Sequence, residues 1–224
     1  MLDYAYIPVN GHVVANIRGR RFLFDSGLPR SIADRPLLLE DKRIDVDSEV
    51  MGLRVSDYSA MLGFEVDGVL GSNVASDFIL SILPEQKRLV FDHYEKDFPI
   101  NIEIENMGGL AVMHNSIGGK RLKALLNIGS KLSFIRADMV EGYEPIGREL
   151  DVFGFIGERG VDVYSLPVNI EGRIINLRFG VLPPEMEVWL EMANIEAALG
   201  SELLDHFALS LALEQGVVAL DPIH

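Results

Sequence analysis

An internal repeat constrains the fold of this chain more than any other feature. Residues 67–92 align with residues 196–221 without a gap at a constant offset of 129, and nine of the 26 paired positions are identical. A second offset of 102 relates residues 22–27 and 31–32 to residues 124–129 and 133–134. The same two elements therefore recur in the same order, which predicts the duplication of a unit of about 100 residues.

The repeat also predicts where the two copies meet. The join falls near Phe98-Pro99, because proline favours an extended connection. Lobe one is predicted over residues 1–98 and lobe two over residues 99–224. The two repeated elements are 71 − 25 = 46 residues apart in lobe one and 200 − 127 = 73 residues apart in lobe two. Lobe two therefore carries an insertion, placed at about residues 150–190.

The local patterns are mainly typical of β-structure. Apolar segments on either side of the turn at residues 18–20 predict a hairpin, and residues 116–126 repeat it. Each hairpin leads into an Asx-x-Gly turn. Ser72 and Ser201 are expected to cap short helices, and the alternation of acidic and apolar residues over 185–192 predicts a strand. We therefore expect little helix.

Composition excludes several functions. The net charge of −14 disfavours binding to nucleic acid or to anionic lipid. The absence of cysteine excludes disulfides and thiolate chemistry, and the five histidines form no metal-binding motif, so no metal or other cofactor is expected. No apolar run is long enough to span a bilayer, and Met1-Leu2-Asp3 lacks a basic leader region. A cytoplasmic location is expected, although an exported mature chain has the same features.

Two segments of lobe one carry a resemblance to a known family. Residues 23–27, Leu-Phe-Asp-Ser-Gly, resemble the catalytic Asp-Thr/Ser-Gly loop of retropepsin and pepsin-like aspartic peptidases. Residues 67–71, Asp-Gly-Val-Leu-Gly, resemble the hydrophobic-hydrophobic-Gly strand that supports that loop, and residues 126–129 and 198–200 repeat the frame. The resemblance, to the bacterial type with two lobes in one chain, implies a mainly β, two-lobed acid-protease fold with a pseudo-twofold axis.

The resemblance also assigns roles to individual residues. In the family, two carboxylates share one proton and hold the attacking water. Asp25 is the general base expected here, and Asn127 stands where the family has its second aspartate. The remaining site residues shape the two turns or form the strands that support them. They are Ser26, Gly27, Ile128 and Gly129 in the turns, and Leu70, Gly71, Leu199 and Gly200 in the strands.

Two departures from the family fall in one tripeptide. The amide of Asn127 can hydrogen-bond a water molecule but cannot exchange a proton with it at ordinary pH. Ile128 has no hydroxyl, so Ser26 alone can make the cross-lobe bond that the family makes at this position. Removing a positioned acid or base costs roughly 10²- to 10⁴-fold in rate. We therefore predict an extended peptide as the ligand, with little or no hydrolysis.

Three explanations of Asn127 remain open. The chain is a natural pseudopeptidase, which Ile128 favours because a deliberate knockout would rarely change both residues. Alternatively, an aspartate was replaced to trap a substrate, and the native chain is an active endopeptidase. In the third explanation, Asp25 pairs with Asp25 of a second chain, which requires lobe two to be displaced. A monomer is expected in the first two cases and a homodimer in the third.

The family also places a flap over the cleft, between the two repeated elements. In lobe one the candidate is the segment from Glu49 to Ala60, with Met51 and Gly52 at its tip and Tyr58 towards the substrate; the alternative is an ordinary surface hairpin. In lobe two the candidate is residues 153–160, which include Phe155 and Gly157, and the alternative is a loop within the insertion.

Overall fold

The duplicated sequence folds into two sets of strands in the same order. The computed structural model describes residues 2–92, 98–153 and 157–223. Strands make up 53% of the chain and helices 15%, so the chain is mainly β. The elements of lobe one are β1 (Leu2–Val9), β2 (His12–Ile17), β3 (Arg20–Phe24), β4 (Ser31–Ala33), β5 (Leu37–Leu39), β6 (Lys42–Ile44), β7 (Val46–Asp47), α1 (Val55–Leu62), β8 (Gly68–Leu70), α2 (Asn73–Asp77), β9 (Leu80–Leu83) and β10 (Arg88–Phe91).

Lobe two repeats this order with longer central strands. Its elements are β11 (Ile100–Met107), β12 (Leu110–Ile117), β13 (Lys120–Leu126), β14 (Ser133–Ile135), β15 (Gly147–Phe153), β16 (Gly157–Ile170), β17 (Arg173–Val181), α3 (Pro184–Met192), β18 (Ala197–Leu199), β19 (Phe207–Ala212) and β20 (Val217–Pro222), with 3₁₀ turns at Ala137–Val140, Ser201–Asp205 and Leu213–Gln215. The predicted division after residue 98 stays a prediction, and residues 93–97 beside it lie outside the described residues.

The strands that precede the two Asx-x-Gly turns are held in the same way in both lobes. Strand β3 pairs in parallel with β8, and β13 pairs in parallel with β18. The register places Phe24 opposite Leu70 in lobe one and Leu126 opposite Leu199 in lobe two. All four residues are fully buried, because a central parallel strand is covered on both faces. The turns at residues 25 and 127 therefore leave equivalent strand ends.

A symmetric strand pair joins the lobes. Strands β9 and β19 are antiparallel, with Ser81 opposite Ser210, and the Ser81 Oγ–H donates to Ser210 Oγ at 2.8 Å. The two serines are equivalent in the repeat at the offset of 129, and their neighbours pair reciprocally, Leu80 with Leu211 and Ile82 with Leu209. This register is that of a local twofold axis. The predicted fold class, a mainly β chain built from an internal duplication, is confirmed.

The lobes differ in the segment after the Asx-x-Gly turn. In lobe two, β15 and β16 form a long antiparallel hairpin, from Gly147 opposite Val163 to Phe153 opposite Gly157. In lobe one the corresponding stretch contains the short strand β7, a bridge between Val50 and Leu53, and helix α1. The extra length of lobe two therefore lies between β14 and the end of β17, because β17 pairs in parallel with β14 as β7 pairs with β4, and a helix follows in both lobes.

The predicted hairpin from Glu49 to Ala60 is wrong beyond Leu53. Met51 and Gly52 do form a tight turn with positive φ values of 52° and 77°, but Tyr58 lies on helix α1. The side chain of Asp57 accepts a hydrogen bond from the Arg54 N–H at 2.8 Å and so caps the start of this helix. Tyr58 and Leu62 are both buried, four residues apart on one face of the helix.

Two further expectations about local structure are wrong. Residues 185–192 belong to helix α3, not to a strand: the helix begins at Pro184, and its Met186 and Leu190, four residues apart, pack against a core cluster of lobe two. The hydroxyls of Ser72 and Ser201 do not cap the helices beside them. They donate instead to the carbonyls of Leu28, at 3.1 Å, and Gly11, at 2.7 Å.

Candidate active site

The backbone of each Asx-x-Gly turn is tied to its supporting strand. The Asp25 N–H donates to the Leu70 carbonyl at 2.9 Å, and the Asn127 N–H donates to the Leu199 carbonyl at 2.8 Å. The next residue on each supporting strand is a glycine for a steric reason. A Cβ on Gly71 would lie 2.6 Å from the Arg30 backbone, and one on Gly200 would lie 2.4 Å from the Leu132 carbonyl oxygen. These contacts explain the hydrophobic-hydrophobic-Gly pattern.

Asp25 and Asn127 face each other across the lobe boundary. A Cβ on Gly129 would lie 2.0 Å from Oδ1 of Asp25, and a Cβ on Gly27 would lie 2.4 Å from Oδ1 of Asn127. Each side chain therefore packs against the glycine of the opposite turn, and both line the same cavity. The structure thus brings together the two residues that the sequence assigned to the reacting centre, from turns 102 residues apart.

One hydroxyl links the two turns. The Ser26 Oγ–H donates to the Leu126 carbonyl at 2.7 Å, and the same oxygen accepts the Ile128 N–H at 2.9 Å. Ser26 is 1% exposed, so both bonds are shielded from water. Ile128 is fully buried in the main hydrophobic cluster and has no group that could return these bonds. The cross-lobe link is therefore made from lobe one alone.

Burial sets the protonation of the acid. Desolvation raises the pKa of Asp25 from 3.8 to about 6, and hydrogen bonds from the backbone N–H groups of Gly27 and Leu28 limit the rise in pKa. Burial also raises the pKa of Tyr58, and the nearby negative charge of Asp25 raises that pKa further. The ionisation of the Asp25 carboxyl group is thus centred near pH 6.

The two sides of the centre differ in hydrogen bonding. Oδ1 of Asp25 accepts the Gly27 N–H at 2.9 Å. Oδ1 of Asn127 is buried and finds no partner among the described residues. An unsatisfied buried oxygen costs about 1–3 kcal/mol. The Oδ1 atom of Asn127 is therefore a hydrogen-bond acceptor without a donor in the described part of the chain.

A cavity of about 420 Å³ lies above this floor, and both lobes line it. Its apolar lining residues include side chains from helix α1, strand β15 and helix α3. Three of them remain exposed at the rim: Met51 is 45%, Met61 37% and Leu150 71% exposed. The apolar residues that line the cavity are Leu23, Leu28, Met51, Leu53, Met61, Leu62, Leu125, Leu132, Phe134, Leu150, Leu182, Met186, Leu190 and Ala198.

Six polar residues of the cavity were not predicted. Asn10 and His12 of lobe one line it, and so do Ser130, Lys131, Glu149 and Asp151 of lobe two. The Lys131 ammonium and the Glu149 carboxylate form an ion pair at 3.1 Å, which ties the turn after Asn127 to strand β15. The repeat gave no signal for His12, because the equivalent residue of lobe two is Leu110. These two residues pair with Val9 and Met107 across matching turns.

The predicted flap residues are divided by the structure. Met51 and Tyr58 line the cavity, whereas Gly52 belongs to the turn beside Met51 and is not among the lining residues. Gly157 opens strand β16 opposite Phe153, near the tip of the long hairpin. Phe155 lies outside the described residues. The strand of this hairpin that contributes Glu149, Leu150 and Asp151 to the cavity wall is β15.

Neither a metal site nor a membrane-spanning helix is found in the described part of the chain. Among residues 2–92, 98–153 and 157–223, no group of three or more acidic or histidine side chains is placed to hold a metal ion. Within the same ranges, no helix combines the length and the apolar character needed to cross a bilayer.

Comparison with known proteins gives matches at the level of structure. No protein-family model and no curated protein matches the sequence. A retropepsin-like aspartic protease from Rickettsia conorii is similar in structure over 54% of this chain and 88% of its own, with 14% identity and a TM-score of 0.40. The protease of Simian Foamy Virus (mac) is similar over 36% of this chain and 94% of its own, with 25% identity and a TM-score of 0.27. EIAV protease is similar over 50% and 91%, with 16% identity and a TM-score of 0.31.

Proposed function

We propose that this chain is an aspartic-peptidase-like protein that binds an extended peptide between its lobes and hydrolyses it weakly or not at all. One observation carries the proposal: at the floor of one cavity, Asp25 packs against Gly129 of the other turn and Asn127 packs against Gly27. This arrangement is the one that the family resemblance predicts for a catalytic pair. It holds one titratable carboxyl group and one amide.

The cavity walls suit an extended peptide. Strand β15 pairs with β16 on one side, and its other edge has no strand partner within the described ranges. A peptide can add to such an edge through its backbone, and its side chains then alternate between two faces. The exposed Met51, Met61 and Leu150 offer apolar contacts at the rim. A peptide with bulky apolar side chains fits both features.

The chemistry of the floor accounts for weak hydrolysis. Peptide hydrolysis needs one group that takes a proton from water and one that gives a proton to the peptide. Asp25, with a pKa of about 6, can do either, but only one at a time. The amide of Asn127 can hydrogen-bond the water or the peptide carbonyl, yet it transfers no proton. At the position of Asn127 there is therefore no carboxyl group to make the second proton transfer.

The geometry also supports action as a monomer. The side chain of Asn127 already lies against Gly27 of its own chain, at the position that a partner's Asp25 would have to take. Pairing of two Asp25 residues would require lobe two to leave this contact and to give up the β9–β19 strand pair. We therefore propose that the complete site is formed by one chain.

The test combines a binding measurement with a hydrolysis assay. The chain, Asn127→Asp, Asp25→Asn and the double variant are incubated with a mixed peptide library from about pH 3 to 7, the range in which carboxylate dyads work. We expect binding by the unmodified chain and little cleavage. Asn127→Asp should raise the cleavage rate by at least about 10²-fold, because it restores a second proton-transferring group. The double variant is the matched control and should return the rate to background.

Two outcomes would contradict the proposal. If the unmodified chain cleaves at the rate of Asn127→Asp, and Asp25→Asn abolishes that cleavage, the protein is an active endopeptidase with an Asp-Asn centre. If no variant binds or cleaves any library peptide, the cleft has a different ligand.

A further inference from the structure

Two unpartnered polar atoms mark the cavity as a site for a hydrogen-bonding group of a ligand. Oδ1 of Asn127 and Nδ1 of His12 are buried, and neither has a hydrogen-bond partner in the described part of the chain. Both residues line the cavity, together with Asp25. Buried polar groups of folded proteins are normally bonded, so unpartnered ones beside a cavity indicate a group that a ligand completes.

The carboxylate of Asp25 has no counter-ion of its own. Its Oδ1 accepts the Gly27 N–H at 2.9 Å, and no basic side chain among the described residues contributes to its pKa. With a pKa of about 6, this group is mostly ionised at pH 7.5. An ionised carboxylate that is shielded from water needs a compensating positive charge.

The basic residues of the cavity lining do not supply this charge. The Lys131 ammonium pairs with Glu149 at 3.1 Å, and the other carboxylate oxygen of Glu149 pairs with Arg178. Burial lowers the pKa of His12, and the positive charge of Lys131 adds to this effect, so the imidazole is neutral at pH 7.5. A positive charge at the floor of the cavity must therefore come from the ligand.

The acceptors at the floor favour a primary ammonium group. Asp25 presents a carboxylate and Asn127 an amide oxygen, and each packs on the glycine of the opposite turn. An ammonium group has three N–H donors and one positive charge, so it can satisfy both. A guanidinium pairs best with both oxygens of a carboxylate, whereas the backbone N–H groups of Gly27 and Leu28 already bind this one.

The walls beside Asp25 suit the aliphatic part of a lysine side chain. Leu23, Leu28 and Tyr58 line the cavity on the lobe-one side. Tyr58 lies close enough to Asp25 for the charge of the carboxylate to raise the pKa of its hydroxyl. A lysine places four methylene groups along apolar surface while its ammonium group reaches a polar partner.

We propose that the cleft selects peptides with a lysine side chain, whose ammonium group donates to the Asp25 carboxylate and to Oδ1 of Asn127. This inference rests on the proposed function, because it names a side chain of the peptide that fills the same cavity. A peptide added to the edge of β15 directs alternate side chains towards the cavity and away from it. The net charge of −14 also favours the approach of a basic peptide.

The test compares two peptides that differ only in the ammonium group. The first is a blocked hexapeptide of alanine and leucine with one central lysine. The second has norleucine at that position, which keeps the aliphatic chain and lacks the charge. At pH 7.5 we expect calorimetry to show that the unmodified chain binds the lysine peptide about 10- to 100-fold more tightly, the range of a hydrogen bond between charged groups.

Three variants assign the preference to individual groups. Asp25→Asn removes the charge and keeps the shape, and it should make the affinities for the two peptides nearly equal. Asn127→Leu removes the acceptor without a change of charge, and it should reduce the preference about 2- to 10-fold. Asp41→Asn, in an exposed turn between β5 and β6, removes the same charge as Asp25→Asn and should leave the preference unchanged. Thermal unfolding shows whether each variant is folded.

Three results would overturn the inference. Equal affinities of the unmodified chain for both peptides would show that the floor does not recognise a positive charge, although peptide binding itself would stand. A lysine preference that persists in Asp25→Asn, or that falls equally in Asp41→Asn, would arise from the overall charge of the chain. Failure of every protein to bind either peptide would overturn the proposed function, and this inference with it.

Discussion

Lobe one and lobe two have the same order of strands around the site but contribute different side chains and different walls to it. Lobe one supplies the titratable Asp25 and the bridging hydroxyl of Ser26, and a short helix forms its wall of the cleft. Lobe two supplies an amide and an apolar residue at the matching positions, together with a long hairpin along the cavity. The comparison shows that two copies of a duplicated frame can keep the same turn geometry while one copy has the carboxyl group and the other has the long hairpin along the cavity.

The largest effect on stability is expected from closing the space between the two turns. In Gly129→Ala the new methyl group would lie 2.0 Å from Oδ1 of Asp25, a separation that forces the turns apart. We expect a loss of about 3 kcal/mol in the free energy of unfolding, at the upper end of overpacking effects. Chemical denaturation measures it.

Gly27→Ala is the matched variant in the other turn. Its methyl group would lie 2.4 Å from Oδ1 of Asn127, so a loss of the same kind but smaller size is expected. Equal stability of both alanine variants and the unmodified chain would show that the two turns are not in contact.

The next effect concerns the one titratable member of the pair. The pKa of Asp25 is about 6 in the folded chain against an ordinary value of 3.8. Between these pH values the folded state binds more protons than the unfolded state, so this group lowers stability as pH rises. The total effect is about 3 kcal/mol at most, at 1.36 kcal/mol for each pKa unit.

Asp25→Asn removes this pH dependence and makes the two sides of the centre alike. We expect the variant to be more stable than the unmodified chain at pH 7.5 and equally stable near pH 3.5. Denaturant titrations across this range measure the difference, in which contributions from all other groups cancel. A difference that does not change with pH would show that Asp25 titrates as an exposed carboxyl group.

A smaller effect is expected at the bridge that only one lobe provides. Ser26→Ala removes the bonds to the Leu126 carbonyl and the Ile128 N–H. Two buried hydrogen bonds at about 1 kcal/mol each give an expected loss of about 2 kcal/mol. Ser130→Ala is the control, because its hydroxyl donates within its own turn to Leu132 at 2.9 Å. If both variants lose the same stability, the cross-lobe position of Ser26 has no special importance.

The sequence predicts the shared frame better than the differences between the lobes. The frame was predictable because its constraints are local and occur twice: an apolar strand, an Asx-x-Gly turn, and a glycine where a Cβ would meet backbone. Helix α1 was missed because Tyr58 was assigned to an expected hairpin that ended at Ala60, two residues before Leu62. Helix α3 was missed because acidic and apolar residues alternate along it, although its Met186 and Leu190, four residues apart on one face, pack on the core.

The candidate site shows the same limit. Asp25 and Asn127 could be placed because each lies in a motif, whereas His12 has none. The position of His12 in the cavity lining depends on how the turn between β1 and β2 of lobe one meets the turn after Asn127 in lobe two. Such contacts between distant segments have no periodicity or spacing in the sequence.

The reciprocal register of β9 and β19 has a consequence for the halves taken separately. Because β9 pairs with its own repeat copy in a reciprocal antiparallel register, two copies of β9 are expected to pair with each other in much the same way. Cutting the chain between the lobes would leave the edge of β9 exposed, with the hydroxyl of Ser81 at its centre. The linkage of the two copies in one polypeptide thus keeps this edge of β9 paired with β19. It also places Asp25 opposite Asn127 of the same chain instead of opposite a second Asp25.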